Sequence, residues 1–228
     1  MAMNGHVLDQ FLFVVLPYVC LFTFLLMTIH RYRRQSFSYS SLSSQFLEND
    51  VHFWSMVPFH YGILAITAGH LIAFLVPRGL LAWNRHPLRL YIIEVAALAF
   101  GLLTLIGLVG LIVRRLTTPK VRVVTSRTDW ILLGMLLVQT VGGVSVALLY
   151  PWGSSWFASS LSPYLWSVFK LNPDVTYIQA MPHLVKFHIV LAFLTIGFFP
   201  FTRLVHLLVV PNAYLWRKRQ VVRWYGHR

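Results

Sequence analysis

Four histidines of this chain fall inside stretches that are otherwise apolar. His60 and His70 lie in "FHYGILAITAGHLIAFLVP", and His188 and His206 lie in "FHIVLAFLTIGFFPFTRLVHLL". An imidazole in an apolar medium costs free energy unless its nitrogens are bound. Two histidines on each of two helices suit two bis-histidine centres between those helices, and imidazole is a standard axial ligand of haem iron. The rival uses fit less well. A zinc or copper site wants ligands a few residues apart with carboxylate or cysteine help. A proton or cation pump wants intramembrane Asp or Glu, and the apolar stretches carry almost no carboxylates, Glu94 and Asp129 both standing at helix starts. The single cysteine, Cys20, gives no disulfide, no C-x-x-C-H haem attachment and no iron–sulfur or zinc framework. A redox cofactor here would be held by histidine.

Positioning these side chains requires helices that cross a bilayer. Of 228 residues, 57% are hydrophobic and 11% charged, with a mean hydropathy of +0.68. Five runs of about 20 apolar residues are each long enough to span the hydrocarbon core; they lie at about 9–29, 53–76, 91–113, 129–150 and 184–210. The expected fold is all-α, a single membrane domain over 1–228 with five transmembrane helices. The net charge of +13 is not a nucleic-acid footprint, because the basic residues gather at the ends of the apolar runs. Thirteen fall on one side: Arg31, Arg33 and Arg34, then Arg114 to Arg127, then the tail from Arg217 to Arg228. Four fall opposite, at Arg78, Arg85, Arg89 and Lys170. The positive-inside rule makes the first side cytoplasmic, with the N-terminus outside and the C-terminus inside. The first run has no basic segment before it and is read as a retained helix of a multi-pass cell (inner, cytoplasmic) membrane protein.

The connections differ in character. Residues 34–50 are polar and serine-rich. Residues 151–182 are rich in Trp, Tyr and Phe and predict short helices lying at the interface. The basic, aromatic tail suits either a snorkelling cap or a docking site for a soluble partner.

Three reversals separate the second and fifth helices, so they run antiparallel. The first histidine of one then faces the last of the other, pairing His60 with His206 and His70 with His188. At 1.5 Å per residue the first helix separates its histidines by roughly 15 Å and the second by roughly 27 Å. That mismatch requires tilt or a kink, which Pro200 can supply. His52 competes with His60. It lies 18 residues from His70, five full turns, and so shares its face, whereas ten residues leave side chains about 80° apart. Against His52 stand its place after "LENDV" and Pro58 between it and the span. Geometry leaves these two open. His183 is likewise ambiguous at the start of its span, while His6, His30, His86 and His227 sit at termini, loops or a helix end.

Three stretches resemble the cytochrome b (gamma) subunit of membrane-bound respiratory nitrate reductase. They are "SSQFLE" leading into the His60–His70 run, "LLVQTVGG", and the run from His188 through "FPFTRLVH" into the tail. The resemblance covers essentially the whole chain. It implies two haem b groups, the inner held by His60 and His206 and the outer by His70 and His188. It thereby favours His60 over His52. It also implies that a membrane quinol, menaquinol or ubiquinol, is oxidised beside the outer haem near Gly69 and His70. Protons would leave outside, and electrons would pass to a cytoplasmic iron–sulfur subunit and a molybdenum catalytic subunit. The chain itself would hold no nitrate site. The lysine that the family associates with quinol is missing here, and Arg89 is the nearest substitute; it can donate to a quinone oxygen but cannot take up a proton. Arg203, one turn before His206, needs an anionic partner, for which an inner-haem propionate is a candidate and snorkelling the alternative. A related di-haem anchor of a sulfite- or heterodisulfide-linked complex is the second reading.

Overall fold

A computed structural model describes residues 7–35, 38, 39, 47 and 50–209. The basic tail, most of the 34–50 connection, His6 and His227 lie outside the described residues. Every regular element among the described residues is helical: α1 Val7–Arg34, α2 Asp50–Leu75, α3 Pro77–Asn84, α4 Pro87–Thr117 and α5 Pro119–Val123. They continue as α6 Arg127–Leu149, α7 Gly153–Trp156, α8 Ser162–Phe169, α9 Thr176–Gln179 and α10 His183–Phe198. Among the described residues five helices are long and apolar enough to cross a membrane, in the order expected: α1, α2, α4, α6 and α10 with its 3₁₀ extension to Phe201. Two boundaries differ from the sequence expectation. α2 runs from Asp50 through Pro58, so His52 is a helical residue, buried within the protein at the first position of the second candidate span. The fifth span does not run as one helix to 210: after Phe198 it passes through a 3₁₀ turn, Phe199–Phe201, and an extended Thr202 before a second 3₁₀ stretch, Arg203–Val209.

The spans pack as a row, α2 on α4, α4 on α6, α6 on α10 and α10 on α1. The α2–α4 contact is the most extensive and is made by backbone. A Cβ on Gly62 would lie 2.7 Å from the Thr104 amide nitrogen, and one on Gly107 would lie 2.8 Å from the Phe59 Cα. A Cβ on Gly110 would meet the Ser55 hydroxyl at 2.5 Å. Small residues at such an interface let dispersion act over a large area, which is what holds helices together where lipid removes the hydrophobic drive. Gly197 plays the same part between α10 and α1, where a Cβ would lie 3.2 Å from Cys20.

The connection from 151 to 182 does form short helices, but it is packed into the bundle as well as lying over it. Tyr164, Val168 and Ile178 are buried with Phe13, Val185, Ile189 and Phe193 in the main core cluster. Proline explains much of the contact. Pro17 has no N–H to donate to the Phe13 carbonyl, and α1 opens there into a π turn, Phe11–Val15. The Tyr164 hydroxyl donates to that carbonyl at 2.8 Å. Burial, with a smaller push from Tyr18, raises the Tyr164 phenol pKa above its ordinary value and keeps it a donor. Ser162 donates to the Ala73 carbonyl and Trp166 to that of Phe74, so the same segment ties α2 to α1.

The α2–α4 contact gives a test in which helix propensity and packing oppose each other. Alanine in a helix interior is favoured over glycine by about 1 kcal/mol, whereas overpacking costs about 1–3 kcal/mol. Gly107→Ala is expected to lower the melting temperature of the detergent-solubilised protein. Gly134→Ala, whose Cβ would meet nothing within 4 Å, should leave it unchanged or raise it.

Candidate functional site

His60 and His70 sit on α2, His188 on α10 and His206 on the 3₁₀ stretch beyond it, and α2 and α10 make no extensive contact with each other. α2 leans on α4, and α10 leans on α1 and α6. On the α2 side Gly69 and His70 are exposed, and a Cβ on Gly69 would meet nothing within 4 Å. The Phe157 ring stands edge-on to His70 with centroids 5.3 Å apart. Phe59 does the same for His60, also at 5.3 Å.

Three of the four imidazoles are oriented by their own helix. His60 Nδ1 lies 2.9 Å from the Met56 carbonyl, His70 Nδ1 2.9 Å from the Ile66 carbonyl, and His206 Nδ1 2.6 Å from the Arg203 carbonyl. A carbonyl only accepts, so Nδ1 carries the proton in each case and Nε2 keeps its lone pair. This is the tautomer and the anchoring that a metal-bound histidine needs. His188 differs. It has no such bond; its Nε2 is 3.3 Å from the Gln139 amide nitrogen, and its ring lies over Gly142 and Gly143 on α6.

His206 is placed by the break at Pro200. The Thr202 amide and hydroxyl both donate to the Phe199 carbonyl, at 3.1 and 2.8 Å. The same hydroxyl then accepts the Leu204 N–H at 3.1 Å, starting the next turn. The carbonyls freed at the break are taken by α1: Arg31 donates to Pro200 O at 2.6 Å and to Thr202 O at 2.9 Å. Arg203 meets the carboxylate of Asp129 at 2.7 Å and the Val124 carbonyl at 3.0 Å. Thus the chain itself supplies an anionic partner for Arg203. Asp129 also closes the capping box with Ser126 that starts α6, so one carboxylate ties that helix start to the His206 turn.

The remaining expected residues fall near the opposite end. Arg89 is exposed and stacks on Trp83, 4.9 Å from the ring centroid. Glu94 accepts from the Gly153 and Ser154 amides and the Ser154 hydroxyl, at 3.1, 2.9 and 2.6 Å, and fixes the segment that carries Phe157. His183 is exposed at the start of α10. No cluster of three or more metal-ligating side chains exists among the described residues. Gln139 is not among the residues that the sequence singles out, although a lone amide near paired glycines in an apolar span is a visible signal.

Comparison with known proteins gives consistent likeness along the chain. A family model described as nitrate reductase gamma subunit matches residues 9–225. The nitrate reductase gamma chain of Bacillus subtilis is 31% identical over 218 residues, covering 94% of this chain and 97% of its own length. The respiratory nitrate reductase 2 gamma chain of Escherichia coli is 33% identical over 229 residues, covering 95% and 97%. A shorter likeness, 30% over 121 residues, links half of this chain (52%) to 39% of one chain of a dihydromethanophenazine:CoB–CoM heterodisulfide reductase from Methanosarcina barkeri.

The Arg203–Asp129 pair is separable from the capping role of Asp129 by a double-mutant cycle. Asp129→Leu is expected to destabilise the protein more alone than beside Arg203→Met. The coupling should be about 1–3 kcal/mol in the solubilised protein, and additive losses would show that the pair carries no energy.

Proposed function

This chain belongs to the nitrate reductase gamma-subunit family, and from that premise we propose that it is the quinol-oxidising, di-haem membrane subunit of such an oxidoreductase. The observation that carries the reading is the shared tautomer of His60, His70 and His206. Each Nδ1–H is bound to a backbone carbonyl and each Nε2 lone pair is left for a metal. The donor set fits b-type haem. Imidazoles stand on two antiparallel spans that make no extensive contact with each other, and Gly142 and Gly143 leave room for the His188 ring. His60 and His206 would hold the inner group, and His70 and His188 the outer. When bound, the two haems supply one-electron carriers that connect the two faces of the membrane.

The chain's own residues set the direction. The Arg31–Arg114–Arg122 end faces the cytoplasm, by the excess of basic residues there. The cytoplasmic iron–sulfur and molybdenum subunits dock on that end, and nitrate is reduced outside this chain. The end carrying Gly153 to Gln179 faces out. Quinol enters beside His70, where Gly69 keeps the helix surface free of a side chain. Arg89, held against Trp83, donates to a quinol oxygen. As a guanidinium it cannot accept the quinol protons, which pass to the outer water. A heterodisulfide- or sulfite-linked complex is less well supported, since the likeness to the heterodisulfide reductase chain covers about half of this one whereas that to gamma chains covers nearly all of it.

Purified with its partner subunits, the protein is expected to show a reduced b-type spectrum on addition of a menaquinol or ubiquinol analogue. Pyridine haemochrome assay should count two haems per chain. His60→Ala is expected to lose the inner haem while His52→Ala keeps both. A preparation with no b-type absorption would overturn the reading, and haem loss in His52→Ala but not His60→Ala would overturn the ligand choice.

A further inference from the structure

His188 is the one histidine of the four whose imidazole is addressed by another helix. Its Nδ1 is buried with no hydrogen-bond partner. The neighbouring side chain, Gln139, carries the complementary defect: its Oε1 is also buried with no partner. Between them runs a single contact, Gln139 Nε2 to His188 Nε2 at 3.3 Å. A donor and an acceptor that each lack a partner in an apolar interior are costly, and a fold rarely keeps both side by side without use for them. The seat is built from α6. Gln139, Gly142 and Gly143 follow at i, i+3 and i+4 and so share one face. A Cβ on Gly143 would lie 3.1 Å from His188 Cε1, and one on Gly142 3.4 Å from Nδ1.

The Nε2 lone pair of a neutral imidazole serves one partner at a time, an amide N–H or a metal. For Nε2 to reach iron the ring must turn and Nδ1 must hold the proton, and that proton then needs an acceptor. In His60, His70 and His206 a backbone carbonyl fills this role. We propose that Gln139 is the positioning residue of His188, its Oε1 accepting the Nδ1–H when Nε2 binds the outer haem. The two ends of one amide thus serve the two arrangements of the imidazole. The inference rests on the di-haem reading and goes beyond it by making the outer site depend on α6. A hydrogen bond accepted from Nδ1–H makes the imidazole a stronger donor to iron, which favours the oxidised metal and lowers its reduction potential.

The test compares Gln139→Leu and Gln139→Glu in the intact complex. Redox titration followed optically and by electron paramagnetic resonance resolves each haem, with the inner haem as internal reference. In Gln139→Leu the outer haem is expected to titrate at a higher potential with an altered low-spin signal, or to be lost selectively. Gln139→Glu, which keeps an acceptor, is expected to retain that haem at or below its original potential. The inference is overturned if Gln139→Leu leaves potential and signal unchanged. It is also overturned if both haems shift alike, or if both variants lose the outer haem. A wild-type complex with fewer than two b haems would instead overturn the di-haem reading, so the two failures are distinguishable.

Discussion

At Gly62, Gly107 and Gly110 nothing larger than the side chains of Ser55 and Thr104 stands between α2 and α4, and the helices close to distances that even a methyl group on the glycine would prevent. Between lipid-exposed helices there is little hydrophobic gain to be had from association, so close backbone approach is what provides cohesion. That contact fixes α2 along one face, and the 151–182 connection holds its last turns through Ala73, Phe74 and His70. On the flank turned away from that seam, where His60 lies about 160° round the helix from Gly62, α2 makes no contact of comparable extent. A helix held on both faces would have needed large apolar side chains where this one carries imidazoles and an open glycine.

Accounting for backbone groups explains the rest of the architecture. In hydrocarbon every carbonyl that loses its helical donor needs another, and the prolines create such carbonyls at defined places. Pro17 leaves the Phe13 carbonyl to Tyr164, which brings the aromatic connection down into the bundle. The break at Pro200 leaves carbonyls that Arg31 reaches from α1. Arg31 thus has a second task besides marking the basic end, since it holds the turn on which His206 rides. The Asp129–Arg203 pair grips the same turn from α6. His206 is consequently held in place by two other helices, α1 and α6, although its own stretch is only a short 3₁₀ element.

Much of this is legible in the residues. Five apolar runs, four intramembrane histidines and a charge bias at the run ends need only composition and spacing, because a bilayer imposes length and polarity so strictly. What is not legible depends on partners distant in sequence. Pro58 reads as a boundary, yet α2 continues through it and takes His52 into the helix. Asp129 reads as a helix start, yet its partner Arg203 comes from the far end of the fifth span. The 151–182 connection reads as interfacial because Trp and Tyr favour that zone. The burial of Tyr164 depends on a carbonyl that Pro17 leaves free in α1. Gln139 acquires meaning only when His188 is found against it.

The break in the fifth span also removes a difficulty raised by the spacing of the ligands. Ten residues separate His60 from His70, and eighteen separate His188 from His206, which in two straight helices would give rises of roughly 15 and 27 Å. But α10 is α-helical only to Phe198. From His188 to that point it advances by the same ten residues, and hence roughly the same 15 Å, as α2 between its histidines. The last eight residues pass through Thr202, whose extended backbone (φ −116°, ψ 177°) ends the helical path. They are free to run across the bundle instead of along it. One continuous helix would overstate the separation of His188 and His206, and the five-turn periodicity that favours His52 has no counterpart on α10. Under the proposed di-haem arrangement, Pro200 and Thr202 would let unequal sequence spacings serve ligand pairs at matched depths.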